Sequence, residues 1–346
     1  MAKVVGGFGS GHGPLMSLPG DQWQQRSVWD MKCQELIEVP TGRHVTYEEL
    51  LAGADPNIAK VVNVETFDQR VETIQKGLDE LERRFVQTDP DVVVMFGDDQ
   101  SEWFFEDNYP TISVYWGDTV KIHGRGVPVG GFRSTLAEDR DWPVDSELGL
   151  HVIQSLQEEE FDLATMRYQR ETYGGSIGPS SWYLNFKMET EPRPFGLPHA
   201  YTFPIGRWFG GKTVPILPIT INTCYPPNWI SPKRAYALGQ AVRRAVDAWG
   251  IDKKIAFACS GGLSHFVVDE ELDRMALKAM SEADGEVLST LPRHRLQSAT
   301  TETLNWVACQ GAMGNTPMDV ITYEPGYRTP AGTGVGCAVG HWDVSR

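Results

Sequence analysis

The sequence predicts an α/β fold: a single domain with a central, mostly buried mixed sheet flanked by helices. Two observations carry that expectation, and a third locates the chemistry. Short apolar runs end abruptly in small or polar residues, as strands buried on both faces do. Segments of helical period lie between those runs. Several runs end on residues able to bind a metal or move a proton.

In chain order, Val4 to Gly9 leads into Ser10-Gly11-His12-Gly13-Pro14, and Asp91 to Gly97 leads into Asp98-Asp99-Gln100. Val214 to Ile221 leads into Asn222-Thr223-Cys224, and Lys254 to Cys259 leads into Ser260-Gly261-Gly262-Leu263-Ser264-His265. Helices are expected over Glu65 to Val86, Pro232 to Trp249 and Leu296 to Met313. The stretch from about 123 to 198 is less regular, with Gly- and Pro-rich patches around a helix near Glu147 to Glu158. It reads as an insertion covering the site, inside one catalytic domain spanning 1–346. In open α/β sheets ligands bind beyond the carboxyl ends of strands. His12, the Asp98-Asp99-Gln100 cluster and His265 all fall there.

Composition narrows the partners. At 346 residues the chain is long enough to bury a large core. A net charge of -15, with no run of Lys or Arg, argues against nucleic acid. The five cysteines are scattered and never spaced C-x-x-C, which fits free thiols in a reducing compartment better than a disulfide framework or a thiolate zinc site. No stretch approaches the ~20 apolar residues of a membrane span, and Met1 to Gly6 is too short an apolar run for a secretory signal. A soluble, cytoplasmic protein that does not engage membranes is expected.

Each candidate residue has a plain reading beside the chemical one. His12 sits among glycines that let backbone and ligand approach closely; it either satisfies its loop or contacts metal or substrate. These glycines do not form G-x-G-x-x-G, so no dinucleotide site is read. His265, at a strand end, suits acid–base work, against the alternative of a buried structural histidine. The one G-x-S-x-G match, Gly174 to Gly178, lacks the apolar strand that a nucleophile elbow needs and reads as a glycine-rich loop. His199 in Leu-Pro-His-Ala-Tyr means little alone. Glu302 lies in Thr-Thr-Glu-Thr-Leu-Asn-Trp; if buried, it needs a partner or a cation. Asp98, Asp99, Gln100 and Glu102 point to a cation or loop hydrogen bonds or, more cheaply, to capping of the following helix. Together, histidines, a carboxylate and an amide oxygen match divalent iron better than thiol-loving metals.

These segments, in this order, resemble the catalytic subunit of the class III extradiol ring-cleavage dioxygenases, the protocatechuate 4,5-dioxygenase family, and most closely its 3-O-methylgallate dioxygenase branch. The resemblance rests on Gly-Ser-Gly-His12-Gly-Pro, on Pro90 to Val94 ending in Gly97-Asp98-Asp99-Gln100, on Pro198-His199, on Ser260 to His265, and on Glu302 with Trp306. It implies a non-haem Fe(II) held by two histidines and one glutamate. His12 matches the first ligand and Glu302 the carboxylate. His265 matches the acid–base histidine that shuttles the proton, and His199 a further histidine touching substrate or oxygen. Where the family has its second histidine ligand this chain has Gln100, so the third ligand is Gln100 or a neighbouring Asp98, Asp99 or Glu102.

The activity implied is insertion of O2 into a catechol-type aromatic acid of the protocatechuate, gallate or methylgallate kind, ending in a ring-opened carboxylate. The small aromatic diol and O2 are the implied partners, with a homodimer as the implied assembly. Arg207 and Arg133 are candidates to pair with a substrate carboxylate; Trp182, Trp208 and Tyr225 are candidate aromatic walls or core. Two other classes stay open: a non-catalytic binding or scaffold protein of the same fold, like the Memo-type relatives, for which Gln100 is the main support, and a metal-dependent hydrolase, whose ligand types overlap.

Overall fold

In the computed structural model, residues 1–105, 108–124, 126–127, 130–170, 180–181, 186–187 and 196–345 are described, the two short pairs by their backbone only. The G-x-S-x-G match at 174–178 and Trp182 lie outside them. The expected α/β architecture is present: among the described residues nine strands form one mixed sheet with helices on both faces.

Four strands form its parallel centre. They are β1 (Lys3–Ser10), β2 (Val92–Gly97), β5 (Ile216–Ile221) and β6 (Lys254–Ser260), in the order β1-β6-β2-β5. Beyond β5 lie β3 (Ile112–Tyr115), antiparallel to it, and β4 (Ala164–Met166), parallel to β3. On the other side β9 (Thr333–Trp342) runs antiparallel to β1 and also pairs with β7 (His265–Val267) and β8 (Met318–Tyr327).

The apolar runs behave as strands buried on both faces. Every residue of β2 is buried, and alternate side chains serve different cores. Val92, Val94 and Phe96 join one cluster; Val93 and Met95 join the other. This is the period-2 geometry of a strand covered on each side.

The helices follow their apolar spacing. α2 (Val64–Thr88) buries Phe67, Val71, Ile74, Leu78, Leu81 and Phe85, an i, i+3, i+4 stripe laid on one face of the sheet. It is capped by the Asn63 side chain, which accepts from the Thr66 N–H, and it ends where Asp89 turns to a left-handed conformation. On the other face pack α3 (Ser146–Glu158), α5 (Pro232–Ala248), α6 (Glu270–Ser281) and α7 (Thr303–Met313). α1 (Gly20–Asp30) and α4 (His199–Arg207) complete the labelled helices.

Two expectations are revised. The stretch 123–198 is not all cover: Leu148, Val152, Ile153 and Leu156 of α3 lie in the core, and β4 extends the sheet. The α3 crossover is therefore part of the scaffold, because its apolar side chains are buried in the same core as those of α5, α6 and α7. The helix expected from Leu296 begins later, after a 3-10 turn over Ser298–Glu302, and Glu302 stands at the junction. The hairpin β8–β9 was not anticipated. Among the described residues no helix is long and apolar enough to cross a membrane, and all five cysteines are buried free thiols.

Helices α5 and α7 cross at glycine. A methyl group on Gly239 would sit 1.8 Å from the Ala308 carbonyl oxygen, so only hydrogen permits this approach. That contact fixes the helix at whose start Glu302 stands. Gly239→Ala should lower stability by about 1–3 kcal/mol through overpacking, despite the roughly 1 kcal/mol that alanine's helix propensity adds. The denaturant midpoint is the measurement, and an unchanged or higher midpoint would refute the close-crossing argument.

Candidate functional site

The four parallel strands end at one edge of the sheet, and their loops bring the predicted residues together. His12 follows β1, Asp98 to Glu102 follow β2, Asn222 to Tyr225 follow β5, and Ser260 to His265 span the end of β6 and the start of β7. Glu302 reaches the same edge from the turn before α7. That turn is tied to β6 by Asn305, whose Nδ2 donates to the Ser260 carbonyl, and by Trp306, whose Nε1 donates to that of Gly261.

His12, Asp98 and Glu302 converge. One ligand atom from each lies within 4.8 Å of the others, and all three residues are buried. His12 is hydrogen-bonded through Nδ1 to Ser260 Oγ (3.0 Å), leaving Nε2 3.6 Å from Glu302 Oε2. Glu302 Oε2 accepts from the Gly262 N–H at 2.7 Å, and Oε1 accepts from the Gln100 side-chain amide at 2.8 Å. Asp98 is 0 % exposed; Oδ1 accepts from Asn305 Nδ2, while Oδ2 is buried with no hydrogen-bond partner among the described residues.

Two further histidines flank the cluster. The His199 ring meets that of His12 edge-on with centres 4.6 Å apart. His265 is held through Nδ1 by the Leu263 carbonyl at 2.9 Å, and its Nε2 lies 3.7 Å from Glu302 Oε2. These close approaches are not ion pairs. Burial, with His199 and His265 adding to it, pulls the His12 pKa well below the usual imidazole range, and burial pulls that of His265 down to about 4. Burial likewise lifts Glu302 to about 7, against the hydrogen bond from Gly262, and lifts Asp98 well above the carboxylate range, with Glu302 adding to it.

Two buried acids sharing one space, one with an orphaned oxygen, form a site in need of positive charge. One imidazole nitrogen and carboxylate oxygens suit a first-row divalent ion. The residues present therefore fit a divalent metal.

The loop after β2 brings one of the expected alternatives, Asp98, into the cluster. Gln100 is placed as a hydrogen-bond donor to Glu302, and Asp98 provides the third donor atom of the cluster. Asp99 accepts from the backbone N–H groups of Glu102, Trp103 and Phe104, bracing a bend in the loop; the helix it was expected to cap does not follow, since 100–105 are irregular. Glu102 binds His199.

Arg207 is not brought to the site. Its buried guanidinium is taken up by Asp79, Glu82 and Gln75 of α2, because a buried cation needs carboxylate and carbonyl partners. Arg133 binds Glu82 and the Arg207 carbonyl, and Trp208 is core, with its Nε1 donating to Ser10 Oγ. Tyr225 accepts from Ser101 Oγ at 2.8 Å and stacks on Tyr109. It shares an apolar cluster with Cys224, Ala299 and Phe266, the last adjoining His265 in sequence. The residues that sequence reasoning missed are Ser260 and Asn305; the only available signal was Asn305 one turn beyond Glu302.

Residues 56–336 match the family described as the catalytic LigB subunit of aromatic ring-opening dioxygenase. The chain belongs to that family. Asp98, His199, His265 and Glu302 lie inside the matched stretch, and His12 precedes it. Among curated proteins the chain is similar to the 2,3-dihydroxyphenylpropionate/2,3-dihydroxicinnamic acid 1,2-dioxygenases of Klebsiella pneumoniae (25% identity over 196 residues, 56% of this chain and 50% of the relative) and Cupriavidus necator (26% over 195 residues, 56% and 49%). It thus spans about half the length of the curated relatives it matches. A solved structure of an uncharacterized Escherichia coli K12 protein aligns over 98% of this chain and 99% of its own, at 12% identity and a TM-score of 0.42, too loose a likeness to support an argument.

The buried acids give a pH signature. Glu302 has a folded pKa of about 7 against an ordinary 4.5. Below 4.5 it is protonated whether folded or not and costs nothing; as pH rises towards 7 the unfolded chain gains by ionising first. Without metal, the stability of Glu302→Gln relative to wild type should therefore rise between pH 4.5 and 7. A difference that stays flat across that window, measured by denaturant titration, would contradict the uncompensated-charge account.

Proposed function

We propose that this chain is a non-haem Fe(II)-dependent extradiol dioxygenase that opens the ring of a catechol-type aromatic acid of the protocatechuate, gallate or methylgallate kind. The observation that carries this reading is the buried convergence of His12, Asp98 and Glu302, with one Asp98 oxygen unpartnered. Family membership supports ring opening as the reaction, and the named activities of the similar proteins support an aromatic diol as the substrate class.

His12, Asp98 and Glu302 would hold the metal, with Gln100 and Gly262 orienting Glu302 through their N–H groups. When bound, divalent iron supplies Lewis acidity to the paired ring hydroxyls and a route for electrons between ring and dioxygen. One histidine and two ionised carboxylates cancel a double positive charge, where two histidines and one carboxylate would leave a net positive centre. A diol therefore gains less from full ionisation here, and the flanking bases matter more.

His265 is suited to that task. Its Nδ1–H donates to the Leu263 carbonyl, so Nε2 presents a lone pair on the Glu302 side. Burial keeps the ring neutral near pH 7, with its pKa at about 4. Nε2 accepts the proton of a ring hydroxyl and returns it to the opened product. Tyr225 and Phe266 provide an aromatic wall beside it.

The test is anaerobic loading with Fe(II), then a panel of catechol acids with oxygen uptake and a yellow ring-opened product as readouts. His12→Ala, Asp98→Ala and Glu302→Ala should each abolish stoichiometric iron binding. His265→Ala should keep iron and lose turnover by about 10²–10⁴-fold. Wild-type protein that binds no iron and consumes no oxygen would mark a binding protein instead, and His265→Ala turning over at the normal rate would remove the proton-transfer role.

A further inference from the structure

Two histidine rings flank the acid cluster, and both are held by Nδ1, but their tethers differ in kind. His265 is tied to a neutral backbone carbonyl. His199 is tied to a carboxylate: its Nδ1 lies 2.9 Å from Glu102 Oε2, and the same carboxylate accepts the His199 backbone N–H at 3.0 Å through Oε1 and at 3.2 Å through Oε2. Glu102 is itself buried, and its backbone N–H is held by Asp99 in the loop that also carries Asp98 and Gln100.

This arrangement grips one residue at two points. The backbone contact fixes the first residue of α4, and the ring contact fixes rotation of the imidazole about its side-chain bonds. A carboxylate that already accepts a backbone N–H is committed as an acceptor, so the ring nitrogen facing it is the one bearing hydrogen. The two nitrogens of an imidazole diverge, so tethering Nδ1 in this way directs Nε2 away from Glu102. The edge-on contact with His12 sets that ring against the acid cluster.

We infer that Glu102 is a positioning residue for His199, holding its Nδ1–H so that Nε2 is turned as an acceptor towards the bound diol. The substrate named here rests on the proposed dioxygenase reading; the tether itself does not. A neutral carbonyl orients a ring, whereas a carboxylate orients it and also stabilises a proton arriving on the far nitrogen, as the third member of a catalytic triad does.

The test uses histidine ring ¹⁵N spectra of the full chain, recorded without paramagnetic iron, with the His199 signals assigned from a His199→Asn spectrum. In the wild type, Nδ1 of His199 should show the shift of a protonated nitrogen. In Glu102→Gln, whose neutral amide is a weaker acceptor than the carboxylate and can turn its N–H towards the ring instead, that signal should move towards the unprotonated position. With iron restored, kcat should fall about 10–100-fold with KM little changed, and Glu102→Asp should recover part of the loss. A bare Nδ1 in the wild type overturns the inference even if no variant folds. So does Glu102→Gln with an unchanged ring signal and wild-type kcat. Iron-loaded wild type that opens no ring counts against the proposed function alone, because the ring spectrum judges the tether independently.

Discussion

The site is governed by two carboxylates, Asp98 and Glu302, held close together where water is excluded. Such a pair is costly in the absence of a cation, because neither charge is solvated and each opposes the other. The surrounding polar groups soften this cost without removing it. Glu302 receives N–H groups from Gly262 and Gln100, and Asp98 receives one from Asn305, but its second oxygen receives none. The polypeptide has stopped short of neutralising its own acids, and the missing contribution has the sign of a cation.

Holding that pair in place requires a stiff frame. The parallel strands β1, β6 and β2 lie side by side, so the loops leaving them are fixed relative to one another by backbone hydrogen bonds. Glu302 comes from outside the strands and is pinned by different means. Asn305 and Trp306 bond to the end of β6, and the glycine crossing of α5 with α7 fixes the helix behind them. The energetic strain of the acids is thus carried by a close-packed core that has little freedom to relax it.

Much of this was readable in the residues. The strands preceding His12, Asp98 and His265 were legible because both their faces are buried, giving continuous apolar runs that end sharply. The α2 and α5 helices were legible from their apolar stripes, with boundaries within a few residues. The placement of Glu302 was less so, since a 3-10 turn and the following helix share one apolar pattern. Which member of Asp98-Asp99-Gln100 faces the cluster was not legible at all: consecutive residues in a tight loop point in unrelated directions, and only the backbone path decides. Arg207 misled for a related reason, because a sequence shows a cation but not the three partners on α2 that occupy it. The β8–β9 hairpin escaped notice because its outer strand is only half-buried along most of its length and so lacks a continuous apolar run.

The five residues from Asp98 to Glu102 have separate duties that all issue from one strand end: a donor to the cluster, a brace for the loop, a prop for Glu302, a hydroxyl bonded to Tyr225 and a tether for His199. Because the duties are packed into one pentapeptide, they can be inherited or exchanged as a block. A recombination or graft confined to this loop would alter the charge of the centre and the hold on its neighbouring histidine together, while the sheet and helices that frame it keep their own packing, so diversification of the chemistry need not wait on changes scattered across the chain.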